Sequence, residues 1–205
     1  MKEIKKIVIA TRNPAKKERY GRIFSQVVEE VLGLQDIDIQ DKPTESGETA
    51  EENAEIKAKF YAERTGLPVF SEDEALYVDF LPSDEQPGVH VRRIDGKDEV
   101  DDNQLLAHWE EVILKVPEEK RTGRWHIAYT LATPEGKVRT VALDKPIIFF
   151  SPSSKTRLPG WPMSSLEGPT KFGKPHSELT EKEMEQLNHE VERLVLEKFK
   201  ELLTK

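Results

Sequence analysis

Apolar positions along the chain fall into runs with two different periods, and these set the predicted elements. Residues 4–10 are apolar and β-branched and predict a buried first strand. Asn13 and Pro14 then have the chemistry of a helix N-cap and a first helical residue. Tyr20, Ile23, Phe24, Val27, Val28 and Val31 recur at helical spacing behind them. Residues 34–40, with Ile37 and Ile39 in alternation, predict a second strand, and residues 42–47 a loop. Thr49 and Glu52 form a capping box for a helix running to about Arg64, stopped by Gly66-Leu67-Pro68. A strand is expected within 68–79, a loop over 81–88, and a helix over 101–115 with Leu105, Leu106, Trp109, Val112 and Ile113 on its apolar stripe. Residues 124–133 and 137–150 read as two strands joined at Pro134-Glu135-Gly136, and Pro146 argues for an edge or a bulge there. Residues 151–175 are rich in Pro, Gly and Ser without periodicity, the mark of a functional or mobile loop. Thr180 and Glu183 form a second capping box. Met184, Leu187, Val191, Leu194, Val195, Phe199 and Leu202 mark a long amphipathic C-terminal helix. The order strand, helix, strand, helix, strand predicts an α/β fold, with no internal repeat and no linker that would split residues 1–205.

One stretch breaks the pattern. Pro68–Asp79 reads as a buried strand, yet Glu72, Asp73 and Glu74 interrupt it. Carboxylates in a buried strand are costly unless something neutralises them, and a divalent cation would do so. Alternation places Asp73 on the face opposite Glu72 and Glu74, so at most one side of the triplet can face a given site. The plain alternative is a strand end where all three reach water.

Composition narrows the field. The 205 residues carry a net charge of −8 with no long basic block, which argues against coating a nucleic acid. No cysteine is present, so neither disulfides nor cysteine catalysis arise. The N-terminal apolar run is too short for a signal-peptide core, and none approaches the roughly 20 residues of a membrane span. A cytoplasmic protein without nucleic-acid or membrane partners is the expectation. The strand–turn–helix at Thr11–Lys16 is a candidate anion site. Helix N-terminal N–H groups, the Thr11 hydroxyl, the Asn13 amide and the Lys16 ammonium could all point at a phosphate there. An ordinary N-cap with a surface lysine is the alternative.

The ordered series now carries a resemblance. It runs Thr11-x-Asn13-x-x-Lys16, then Glu45-Ser46-Gly47-x-Thr49-x-x-Glu52-Asn53-Ala54-x-x-Lys57-Ala58. Glu72-Asp73-x-x-Leu76, Pro87-Gly88-Val89 with Arg93, and Asn188-His189 follow. This resembles the inosine triphosphate pyrophosphatase family, house-cleaning enzymes that remove non-canonical purine nucleoside triphosphates, over nearly the whole chain. The resemblance implies a twisted mixed β-sheet flanked by helices in two lobes, a central nucleotide cleft, and a homodimer. It implies cleavage of a nucleoside triphosphate between its α- and β-phosphates, giving a monophosphate and pyrophosphate with Mg²⁺ or Mn²⁺. Glu45, Glu72 and Asp73 match the acidic metal-site positions, and Asp73 also the general base, with Lys57 beside it as the second catalytic residue. Thr11, Asn13, Lys16 and Arg93 match substrate-binding positions.

The second half departs from the family pattern. Asp-Asp-Ser-Gly becomes Glu72-Asp73-Glu74-Ala75. The Gly-Phe-Gly-Tyr-Asp-Pro base-stacking loop is reduced to Leu158-Pro159-Gly160-Trp161-Pro162-Met163, where Trp161 could still offer an aromatic platform. Ser-His-Arg reads Asn188-His189-Glu190, and the lysine expected six residues before the arginine is Met184. A carboxylate prefers donors, so Glu190 would favour a base with an amino or N–H edge over inosine or xanthosine, with His189 beside it on the base edge. A solvated helix glutamate is the alternative. Two other functions stay open: a catalytically weakened nucleotide-binding relative, and a phosphatase for another small phosphorylated metabolite.

Overall fold

The computed structural model describes residues 4–37, 39–94, 96, 97 and 99–204. The elements are β1 (Lys6–Ile9), α1 (Pro14–Phe24), β2 (Glu30–Gly33), α2 (Ala50–Thr65), β3 (Val69–Val78), α3 (Asp102–Leu114), β4 (Thr122–Ala132), β5 (Val138–Phe149), β6 (Glu167–Pro169) and α4 (Glu181–Thr204). The strands form one mixed sheet in the order β2-β1-β3-β4-β5-β6. β1 pairs in parallel with both β2 and β3, each reached through a helical crossover, whereas β5 and β6 are antiparallel.

The chain divides into two compact units, each built from separated segments. One comprises 1–74, 127–143 and 188–205, and the other 75–126 and 144–187. In the first, β1 and β3 present alternate faces to two helices. Val8, Ala10 and Val69 pack with Ala58, Tyr61 and Ala62 of α2. On the other face Phe70 meets Phe24 of α1 at 4.7 Å between ring centroids and Tyr20 at 5.1 Å, and Phe24 lies 4.6 Å from Phe199 of α4. In the second, Leu105, Leu106, Trp109 and Ile113 of α3 pack with Leu76, Val78, Ile147 and Phe149.

The capping chemistry read from the sequence is present. Thr49 and Glu52 cap α2 reciprocally, and Gly66 ends it in the left-handed region at φ 64°. Thr180 and Glu183 exchange bonds at the start of α4. Two expectations fail in the first unit. The helical spacing runs through Val31, but α1 ends at Phe24; Val28 is buried beyond its end, and Val31 belongs to β2. The second strand is therefore Glu30–Gly33, and Leu34–Ile37 is a single 3₁₀ turn. Asp36 holds that turn through the Gly33 N–H at 2.7 Å and Lys17, contacts that alternation cannot reveal. Asp38, inside the strand expected over 34–40, lies outside the described residues. Pro146 sits in a strand flanked on both sides, but β6 pairs only with Ile147–Phe149, so the proline falls where that pairing has stopped. The segment 151–175 contains the turn Pro162–Ser165 and β6.

Glu183 also accepts from Lys174 Nζ at 2.6 Å. That bond and the Thr180 backbone and hydroxyl bonds hold its carboxyl down to about 2. A depressed folded-state pKa contributes stability above the unfolded value and loses it as pH falls through the folded one. Glu183→Gln should therefore lower the urea midpoint near pH 7, and its deficit against wild type should shrink as pH falls from about 4.5 towards 2.

Candidate active site

Alternation along β3 sorts its polar residues between two helices. Ser71 and Asp73 share the α2 side: the Ser71 hydroxyl donates to the Ala54 carbonyl, and Lys57 Nζ donates to Asp73 Oδ1 at 2.6 Å. Glu72 and Glu74 share the α1 side, where Lys16 Nζ lies 3.0 Å from each. Two helices thus deliver one ammonium to each face of the same strand.

The Lys57 face gains a second carboxylate from a loop. Glu45 Oε2 lies 2.9 Å from Lys57 Nζ. The loop is pinned by Asn53, which is buried one turn before Lys57 on α2. Its Oδ1 accepts from the Gly47 N–H at 2.8 Å, and its Nδ2 donates to the Gly47 carbonyl at 3.2 Å. A side chain at position 47 would meet Glu52 Cβ at 2.6 Å and Asn53 Oδ1 at 2.8 Å, so this approach requires glycine. Burial pushes the Asp73 carboxyl above the usual aspartate range, against the opposing pull of Lys57. Burial also works against the Lys57 charge, but Asp73 and Glu45 outweigh it and hold the ammonium above its ordinary value.

The Lys16 face is more enclosed. The Glu72 side chain is 4% exposed, and its buried Oε2 has no geometric hydrogen-bond partner among the described residues. Burial raises the Glu72 carboxyl to about 7, with Lys16 pulling it down and Glu74 pushing it up. Burial opposes the charge of Glu74 as well, but Lys16, a hydrogen bond with Glu72, and Arg19 outweigh it and keep Glu74 ionised. Tyr20 and Tyr129 lie in this environment, and burial followed by the Glu72 charge raises both phenols. Tyr20 is four residues beyond Lys16 on α1, a spacing that places the two on one helix face. The sequence marked Tyr20 only as part of an apolar stripe, and Tyr129 and Arg19 carried no functional signal.

The remaining expected residues divide. At Thr11–Lys16, Asn13 Oδ1 caps α1 by accepting from Ala15 N–H at 2.9 Å and Lys16 N–H at 3.4 Å, while Thr11 Oγ1 accepts from Asn13 N–H at 3.2 Å. Two of the N–H groups expected to face an anion are thus taken by the cap. His189 and Glu190 are exposed on the α4 segment of the first unit. Arg93 and Trp161 belong to the second unit; Arg93 Nη1 lies 3.1 Å from His90 Nε2, and Trp161 is half-buried ahead of the turn Pro162–Ser165. Glu45 and Asp73 come together on Lys57, whereas the strand pleat turns Glu72 to Lys16 on the other face. Among the described residues no three His, Asp or Glu side chains converge as a cation cage. A shallow depression of about 770 Å³ in the second unit, lined by Arg92, Glu99, Asp101 and Asp102, shares no residue with this cluster and is mainly acidic.

Residues 7–151 match the model of the Ham1 family. The chain belongs to the Ham1 family. It is 38% identical over 138 residues to the dITP/XTP pyrophosphatase of Exiguobacterium sibiricum, covering 66% of this chain and 67% of that protein. With the dITP/XTP pyrophosphatase of Geobacillus kaustophilus it is 38% identical over 133 residues, 64% of this chain and just under two thirds (63%) of that protein. With that of a Thermoanaerobacter species it is 30% identical over 192 residues, 93% of each chain. The structure titled nucleoside-triphosphatase / dITP/XTP pyrophosphatase from Mycobacterium abscessus superposes with a TM-score of 0.71 at 28% identity, over 93% of this chain and 97% of that one. The Staphylococcus aureus Ham1 protein superposes at 0.74 over 98% of this chain and all of that one; at 19% identity it speaks for the fold alone. Among the described residues no helix is long and apolar enough to cross a membrane.

The Asn53 clamp gives a direct test of how Glu45 is placed. Asn53→Ala removes both bonds to Gly47 and should cost about 2 kcal/mol of unfolding free energy, measured by urea denaturation. It should also weaken catalysis more than Glu52→Ala, which removes the exposed bonds from the Glu48 and Thr49 N–H groups and leaves both Gly47 bonds in place.

Proposed function

We propose that this protein hydrolyses a nucleoside triphosphate to the monophosphate and pyrophosphate, with Asp73 as general base. The observation that carries this reading is the pair of carboxylates, Asp73 and Glu45, gathered on one buried ammonium, Lys57. The Ham1 assignment and relatives named as dITP/XTP pyrophosphatases support it. Burial makes Asp73 a stronger base than an exposed aspartate, and Lys57 holds it in place and stabilises nearby negative charge. In the reaction, water oxygen bonds to the α-phosphorus and Asp73 takes a water proton. The bond from that phosphorus to the α,β-bridging oxygen breaks, and pyrophosphate leaves. The cluster supplies charge and position, which phosphoryl transfer needs more than covalent chemistry.

The donor set also fits Mg²⁺ or Mn²⁺. Two hard anionic oxygens converge, and Mg²⁺ is commonly held by one or two carboxylates together with substrate phosphates. Glu45 and Asp73 would hold it, and when bound it would neutralise phosphate charge. Lys16 and Thr11 are the proposed phosphate contacts of the first unit. We extend the reading to a cytoplasmic homodimer, the family's usual assembly.

Asp73→Asn keeps the shape of the side chain and removes the base. Pyrophosphate release with Mg²⁺ should fall by about 10²–10⁴-fold. Nucleotide binding without turnover in wild type would identify a weakened relative instead. Orthophosphate as the first product would identify a phosphatase.

Base choice is proposed to differ from inosine and xanthosine. Met184 and Glu190 stand where the family places two cationic donors to a 6-oxo group, and Glu190 is exposed on α4. A panel of nucleoside triphosphates should show a better kcat/KM for a base with an amino or N–H edge. Inosine triphosphate emerging as the best substrate would refute this.

A further inference from the structure

Glu74 occupies the position where the resemblance expects serine, and its carboxylate sits against the Lys16 ammonium. Its Oε2 lies 3.0 Å from Lys16 Nζ, the ammonium expected to meet phosphate, and Glu72 Oε1 lies 3.0 Å from the same nitrogen. The three side chains are 23%, 18% and 4% exposed for Glu74, Lys16 and Glu72, so water screens the group poorly. With Glu72 protonated, Lys16 and the two carboxylates sum to zero; with Glu72 ionised they sum to −1. A neutral residue at 74 would make those sums +1 and zero. Glu74 therefore removes one unit of positive charge from the phosphate side of the cluster in either state of Glu72.

We infer that Glu74 is an affinity-setting residue that competes electrostatically with substrate phosphate for Lys16, so that this chain binds triphosphates more weakly than the same site would with a neutral residue there. The inference rests on the proposed nucleoside triphosphate reading. The Glu74 carboxylate accepts from Lys16 while Asp73 accepts from Lys57 on the opposite face of the strand, so the effect of Glu74 should fall on binding more than on the chemical step. The penalty is one of charge, set by the Glu74 carboxylate beside the Lys16 ammonium.

The test compares wild type with Glu74→Gln, which keeps size and removes charge, and with Glu74→Ser in case the amide misfolds beside Glu72. Binding of a non-hydrolysable nucleoside triphosphate is measured by calorimetry with Mg²⁺ and at several salt concentrations. KM and kcat for the best substrate are measured in parallel. The expected result is a Kd and KM lowered about 5- to 20-fold with kcat changed less than threefold, and a steeper salt dependence of binding in the variant. In a Lys16→Gln background the gain from Glu74→Gln should shrink, because the cation it competed for is gone. Unchanged or weaker binding in the folded variants, or a gain confined to kcat, overturns the inference while hydrolysis by wild type still supports the proposed function. If neither wild type nor variants bind or cleave any triphosphate, the functional reading itself fails.

Discussion

Three consecutive carboxylates in a largely buried strand each need a partner, and the pleat of the strand forbids a shared one. Glu72 and Glu74 point to one face of β3 and Asp73 to the other, so a single cation cannot serve all three. The first unit meets this constraint with two helices on opposite faces, each carrying one lysine. Much local structure follows. The Asn13 cap and Pro14 fix where α1 begins, and so where its third residue, Lys16, projects. The Thr49–Glu52 box fixes the start of α2, and with it the placement of Asn53 and Lys57 four residues apart on one face. Phe70 and Val69, just upstream on β3, seal the same two faces with apolar packing.

Magnitudes indicate that this cluster is there for chemistry rather than stability. An exposed ion pair contributes about 0–1 kcal/mol, and pairs such as Lys5–Glu29 belong to that class. A buried pair gains Coulomb energy but loses hydration, and well-packed apolar groups of similar volume often do as well or better. Breaking one by removing its cation costs about 3–5 kcal/mol, because a charge is left stranded. Six ionisable side chains gathered about one strand are therefore a poor way to stabilise a fold, and a good way to hold charge where a substrate's charge must be met.

The sequence showed most of this at the level of local chemistry and little at the level of contacts. Caps were legible because they depend on residues three or four apart: Asn13, Thr49 with Glu52, Gly66, and Thr180 with Glu183. The opposition of Asp73 to Glu72 and Glu74 was legible from alternation alone. What alternation could not supply was the identity of the partners, since Lys16 and Glu72 are 56 residues apart and Lys57 and Asp73 are 16 apart. The resemblance groups Glu72 with Glu45 and Asp73, and the pleat pairs it with Lys16 instead. The second strand was misplaced for a similar reason. Val31 kept a helical spacing by coincidence, while Asp36 bonding to Gly33 turned 34–37 into a 3₁₀ turn, a side chain-to-backbone contact that hydrophobic period does not encode. Tyr20 was visible as core, but its neighbour Glu72 was not.

The two faces of β3 differ in how freely their carboxylates can regroup, and that difference assigns them different work. On the Lys57 face, Asp73 is fixed by the strand, whereas Glu45 is 43% exposed and sits on a loop held at Gly47. A loop carboxylate two residues from a pinned glycine can change partners without disturbing the sheet. On the Lys16 face both carboxylates stand on the strand itself, and Glu72 is almost wholly enclosed beside Tyr20 and Tyr129. Those groups can exchange protons or neighbours only by small side-chain moves. On the proposed reading, the adaptable face would meet the reacting water and its phosphorus, and the rigid face would set how strongly the remaining phosphates are held. On that reading, a substitution at Glu74 would alter the second property while leaving the Lys57–Asp73–Glu45 group in place.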